Sequence, residues 1–440
     1  MLTRIFAWFE RRIDPYPAAE PGMPPRAFLR FVLHYSQGAL PWLAALGLGS
    51  GLVAVIEVSL FGWLGGLVDS LATTPRERFW ADHGTDILTM AAVLLLVLPG
   101  LSLVTGLILH QTLMGNFPQR IRWLAHRYLL RQSVGYFQDE FAGRIAQRLM
   151  QTALAVREVA MKLMDVGSYV TFYFAGALIL AAGQDWRLAL PFALWAMAYV
   201  ALLSQIVPRL GRVGEEQADA RSAMSGRIVD SYTNIATVKL FSHSDREERW
   251  MRAGMDRFLD TVYRQMRLSS LQDTALSLIN VWLVAAVAGI GLWLWSRGSV
   301  EVGAVAVAVP LALRLNNMAH WIMWEFAALF ENIGTVRDGI ASLALPREVR
   351  DRPDAVPLRP GPGEIRYEHV TFRYGQGEAR QGLAVLDDLT LTIRPGERVG
   401  LVGRSGAGKS TLINLLLRFH DIPGGRITLD GQDIAAVTQD

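Results

Sequence analysis

The chain has 440 residues, of which 51% are hydrophobic and only 19% charged, with a formal net charge of +3. That balance is too apolar for an ordinary water-soluble enzyme, and the modest charge gives no reason to invoke nucleic acid. There is no cysteine, which excludes disulfides, thiolate metal sites and cysteine nucleophiles.

Residues 1–38 are mixed and arginine-dotted, with no long apolar core of the kind a cleavable signal peptide carries. Within them Arg26-Ala-Phe-Leu-Arg-Phe-Val-Leu33 has the pattern of an amphipathic helix lying along a membrane surface. Six apolar stretches follow, at residues 40–68, 87–109, 166–182, 188–207, 274–296 and 302–330. Each is close to the ~20 residues that cross a bilayer as helix. The expected fold is therefore an α-helical polytopic membrane domain of six spans over residues 39–335. Residues 110–165 hold eight Arg/Lys and residues 208–273 hold eleven, whereas the opposite connections hold few. The positive-inside rule then puts both long connections and both termini in the cytoplasm, in the inner or plasma membrane.

Those two connections are too long for structureless loops, and neither contains proline between residues 119 and 190 or between 209 and 309. The spans are expected to run on as helices into two hairpins, with short breaks around residues 137–143 and 231–236. Asp139 and Glu140, at the first tip, are candidates for contact with the soluble domain that follows the spans, or else solvated surface charge. Inside the spans, Arg314, Asn317, Trp321 and Glu325 recur at spacings of three, four and four, so they share a helical face with Met318. Ionisable groups at membrane depth usually face a bundle interior or a watery path, which makes these residues and Glu57 candidates for a substrate pathway. For Glu57 the plainer alternative is an interhelical ion pair; for Glu325 it is a position at headgroup level.

Prolines at 346, 353, 357, 360 and 362 mark a linker over residues 336–362. Beyond it, residues 364–374 and 389–393 alternate like strands, opening a soluble α/β domain over residues 363–440. Gly403-Arg-Ser-Gly-Ala-Gly-Lys-Ser-Thr411 then satisfies G-x-x-x-x-G-K-[ST] through Gly403, Gly408, Lys409 and Ser410. Glycines at Gly403, Gly406 and Gly408 let the backbone N–H groups of Arg404, Ser405, Ala407 and their neighbours turn towards phosphates. Lys409 supplies charge to the β/γ-phosphates, and Ser410 a hydroxyl to Mg²⁺. Lysine occurs only at 162, 239 and 409, so its presence at the required position is informative. Residues 398–402 are expected to be a buried strand feeding the loop, and residues 411–417 the helix whose N-terminus faces the anion.

Six spans with two long intracellular extensions, followed by a C-terminal phosphate-loop domain, resemble an ABC exporter half-transporter of the lipid and multidrug type. Val370-Thr-Phe-Arg-Tyr374 is similar to the strand bearing that family's adenine-stacking aromatic, which points to Tyr374. Val385-Leu-Asp-Asp-Leu-Thr-Leu-Thr-Ile-Arg-Pro-Gly-Glu397, Asp185-Trp-Arg-Leu-Ala-Leu190 and Thr237-Val-Lys-Leu-Phe241 also match family segments. The resemblance implies ATP and Mg²⁺ as ligands and a dimer with an identical or related half-transporter. It further implies ATP-driven export of an amphipathic lipid, drug or peptide, with the intracellular tips passing motion between domains. It also implies a Q-loop glutamine, an LSGGQ-type signature, a Walker B strand with its catalytic glutamate, and a switch histidine. None of these can be assigned here, so the 440 residues by themselves are expected to be inactive in ATP turnover. The alternative reading is a catalytically inactive truncated fragment of such a transporter.

Overall fold

The computed structural model describes residues 2–140, 142–241, 244–374 and 384–439. Its contacts divide the chain into two compact units, one of Met1–Pro15, Tyr35–Arg120 and Ala153–Arg337, the other of Tyr16–His34, Ile121–Thr152 and Asp338–Asp440.

Among the described residues six helices are long and apolar enough to cross a membrane, and each contains one of the expected spans. They follow two short helices, α1 (Leu2–Glu10) and α2 (Phe28–Ser36), the second of which covers most of the expected amphipathic segment. Span 1 is α3 (Leu40–Thr73). Span 2 runs from Phe79 to Leu130 as α4 (Phe79–Ala92), α5 (Leu98–Leu107) and α6 (Asn116–Leu130), joined by π-helical turns at Val93–Val97 and Ile108–Leu113. The first π turn has a local cause. Pro99 has no N–H for the carbonyl four residues back, and the Leu98 N–H bonds the carbonyl of Val93, five residues back. Then come the tip helix α7 (Val134–Asp139), α8 (Ala142–Gln184), α9 (Trp186–Thr233), a second tip helix α10 (Ile235–Leu240), α11 (Ser244–Ser296) and α12 (Val302–Leu343). Both helical extensions form as expected, but the breaks are placed only in part: residues 137–139 of the first window belong to α7, with interruptions at residues 131–133 and at Glu140, and the second window is interrupted at Asn234 before α10.

Within the first unit, the spans pack around Tyr173, Phe192, Trp195, Leu276, Leu283, Val287 and Leu311, all at most 3% exposed. Two buried hydrogen bonds pin this core. The Trp195 indole donates to Asn280 Oδ1 at 2.9 Å and the Tyr199 hydroxyl to the Ala319 carbonyl at 2.8 Å, tying α9 to α11 and α12. The turn between spans 3 and 4 is set by Asp185, whose side chain accepts from the Arg187 N–H at 2.8 Å and caps α9. Met318 belongs to the buried side of α12, while Arg314, Asn317 and Trp321 are exposed, so the expected common face does not extend to Met318.

Within the second unit, β1 (Ile365–Phe372), β2 (Leu386–Ile393), β3 (Gly424–Leu429) and β4 (Gln432–Asp433) form an antiparallel sheet in the order β2-β1-β3-β4. Tyr367 sits opposite Leu391 and Ile427, and its buried hydroxyl donates to the Leu412 carbonyl at 3.0 Å. The sheet is thereby fastened to α13 (Lys409–Leu416), and burial pushes the Tyr367 phenol up to about 12. Asp430 closes the open end of the sheet by accepting from the backbone N–H groups of Gly361, Gly363 and Glu364 at 2.7–2.9 Å. Removal from water acts to raise its pKa, but these three donors hold it below the usual carboxylate range.

One expected element is absent. Residues 398–402 form no strand, and Val399, Leu401 and Val402 are 43%, 41% and 99% exposed. A strand is made by a ladder partner, and no described segment hydrogen-bonds to this run.

Candidate functional site: a phosphate loop and an intramembrane polar cluster

The phosphate loop is built by backbone permissiveness on one side and packing on the other. Gly406 and Gly408 adopt positive φ (84° and 83°), the left-handed region that a side chain disfavours. A Cβ on Gly408 would also lie 3.1 Å from the Val385 carbonyl and from Leu386 Cδ2, so this turn lies directly against the start of β2. Gly408 caps α13, which places Lys409 and Ser410 in the first helical turn, two residues earlier than the sequence places the helix start. The Lys409 ammonium donates to the carbonyls of Gly403 and Arg404, both at 2.8 Å. It thus spans the loop mouth, where an incoming phosphate would meet it. Arg404, Ser405, Gly406, Ala407 and Ser410 are exposed, whereas Thr411 is buried. The Ala407 N–H donates to the Arg404 carbonyl at 3.1 Å, so the loop closes a tight turn around exposed backbone, with a lysine and the N-terminus of α13 beside it, an arrangement suited to an anion.

The structure brings Tyr374 to this loop. Its ring is 43% exposed, and its hydroxyl lies 3.1 Å from Thr411 Oγ1, at the base of α13. Phe372 meets it edge-on at 5.0 Å between centroids, and so does His420 at 5.4 Å. The far end of α13 is anchored by Arg418, a residue only 6% exposed that donates to Asp421, Asp351 and the carbonyls of Val437 and Arg350.

The intramembrane candidates form two groups. Glu57 of α3 accepts from the Tyr169 hydroxyl at 2.6 Å and from Arg314 of α12 at 3.2 Å. Trp321 meets the Tyr169 ring edge-on at 6.1 Å. Three of the five predicted residues therefore converge on a tyrosine of α8 that sequence reasoning did not single out. Asn317 is exposed on the same helix. Glu325 stands apart in an ion pair with Lys162 of α8 at 2.6 Å, both side chains about 15% exposed (16% and 14%). Lys162 was the missed partner, and its signal was rarity, since it is one of three lysines.

At the first hairpin tip, Glu140 pairs with Arg148 at 3.2 Å and Arg144 at 3.5 Å, both on α8. Its charge is thus satisfied within its own hairpin. The Asp139 side chain lies outside the described residues.

Residues 43–316 match the family described as the ABC transporter transmembrane region, and residues 386–440 match the ABC transporter family. Across its whole length the chain is 45% identical to an uncharacterized ABC transporter ATP-binding protein of Haemophilus influenzae, covering 71% of that relative. It is 27% identical over 71% of its length to an ATP-dependent lipid A-core flippase of Methylobacillus flagellatus, covering 54% of that protein. A β-(1→2)glucan export ATP-binding/permease protein of Rhodopseudomonas palustris matches at 27% over 71% of the chain and 51% of its own length. Among solved structures, a bacterial Atm1-family ABC exporter with ATP bound aligns with TM-score 0.69 at 21% identity, covering 91% of this chain and 68% of that one. The chain belongs to the ABC transporter family, as a half-transporter of the exporter type in which a six-span permease is fused to an ATP-binding domain.

Proposed function

We propose that this chain binds Mg·ATP at residues 403–411 and, as one half of a dimeric exporter, uses it to move an amphipathic substrate across a cell membrane. In this reading residues 39–335 are the permease, residues 336–362 a linker and residues 363–440 part of the nucleotide-binding domain. Lys409 contacts the β/γ-phosphates, Ser410 holds Mg²⁺, and Tyr374 stacks on the adenine. The observation that carries it is the meeting of the phosphate loop and Tyr374 at Thr411 in a chain with six apolar helices. The substrate class is inferred from the Glu57–Arg314–Tyr169 cluster set among apolar helices, which offers charge and aromatic surface together. Relatives named for a lipid A-core and for a glucan support export as the direction.

Replacing Lys409 with Ala removes a charge-assisted contact of about 1.5–3 kcal/mol, which is roughly tenfold or more in affinity. ATP titration of the two proteins checks this, and equal affinities would remove Lys409 from the phosphate site.

A further inference from the structure

Within the second unit, the first hairpin tip meets the nucleotide-binding region at Gly135, where any side chain would crowd its neighbours. A Cβ on Gly135 would lie 3.1 Å from His420 Cε1 and 3.3 Å from Glu348 Oε2, tighter than ordinary contact. The backbone of α7 therefore rests directly on the imidazole. That backbone is well fixed. Ser133 caps α7 by accepting from the Tyr136 N–H at 3.3 Å and donates to Glu348 at 2.9 Å, and the Tyr136 hydroxyl donates to the Ser342 carbonyl at 3.2 Å.

On its other side His420 touches the two aromatics of the base site. Its ring lies 5.4 Å from Tyr374, nearly perpendicular at 87°, and 5.5 Å from Phe372. Phe372 is 3% exposed and cannot yield. His420 Nε2 is buried and has no hydrogen-bond partner among the described residues. On that side packing, rather than a hydrogen bond, sets where the ring lies.

We propose that His420 is the positioning residue through which the first hairpin tip senses the purine base of a bound nucleotide, as distinct from its phosphates. The proposal rests on the reading of Tyr374 as the base platform. A base stacked on the exposed face of Tyr374 fixes that ring. Fixing it confines His420 between Tyr374, Phe372 and Gly135, because close-packed neighbours do not absorb displacement independently. The phosphate loop has its own route to the same ring through the Tyr374–Thr411 hydroxyl pair, so the test must separate base from phosphate.

Amide hydrogen exchange on the full chain does so, with ATP and with inorganic tripolyphosphate as probes. In the wild type, ATP slows exchange at residues 403–411 and at residues 134–139, whereas tripolyphosphate slows it only at 403–411. In His420→Ala, ATP still protects 403–411 but protection of 134–139 is lost. His420→Phe restores it, because the ring's packing carries the effect. Gly135→Ala, which pushes the ring aside, weakens tip protection while leaving the loop protected. Tip protection by tripolyphosphate alone, or undiminished tip protection in a folded His420→Ala protein, overturns the proposal. Should His420→Ala not fold, the comparison of the two probes on the wild type and on His420→Phe still decides it. Absence of ATP protection at 403–411 in the wild type overturns the nucleotide-binding reading itself, and this proposal with it.

Discussion

Tyr374 shows how much a single side chain is asked to do. Its hydroxyl is held near Thr411, two faces of its surroundings are taken by Phe372 and His420, and the remaining surface is open. Base–aromatic stacking contributes about 1–3 kcal/mol. Tyr374→Ala should therefore weaken ATP binding by roughly five- to a hundredfold, whereas Tyr374→Trp, which keeps a π face, should largely preserve it. Silent outcomes for both, in an equilibrium binding assay, would return Tyr374 to the role of an ordinary residue at a strand end. The loop from Gly403 to Thr411 stood out in the sequence because the motif fixes residue type at Gly403, Gly408, Lys409 and Ser410 within a short local run. His420, Gly135 and Glu348 were not, because their roles arise only where residues remote in sequence meet.

At the scale of elements, the six spans were legible for a simple reason. A bilayer demands long apolar runs with few charges, and such runs are a one-dimensional signal. The helical extensions were legible from proline-free connections, but the short tip helices were not, since residues 137–143 and 231–236 read only as breaks; Ser133, which caps α7, is the signal that could have found the first. Residues 398–402 read as a strand from their apolar composition and failed, since hydropathy does not report whether a ladder partner is at hand. Of the pairings between spans, an ion pair for Glu57 stood open as an alternative and is made with Arg314 at 3.2 Å, whereas the partner of Glu325 was hidden. Lys162 on α8 and Glu325 on α12 form a largely buried ion pair, in which removing one partner strands the other charge at a cost of about 3–5 kcal/mol. Either Lys162→Met or Glu325→Leu alone should lower the thermal midpoint of the detergent-solubilised protein more than the double replacement does. A double variant as unstable as the sum of the singles would show that the two side chains act independently.

For the whole molecule, the charge asymmetry of the connections implies an orientation that a labelling experiment reads directly. The chain has no cysteine, so single cysteines are unambiguous reporters. Gln147 and Ser222, exposed on the two helical extensions, should be protected from an impermeant thiol reagent in intact cells, while Glu77, exposed between spans 1 and 2, should react. The reverse pattern would invert the topology. The central claim joins that orientation to nucleotide binding in one chain, and photolabelling with an azido analogue of ATP in sealed membrane vesicles addresses both at once. Labelling should occur in inside-out vesicles, be competed by Mg·ATP and disappear in Lys409→Ala. Labelling of right-side-out vesicles, or labelling that survives Lys409→Ala undiminished, would contradict the account.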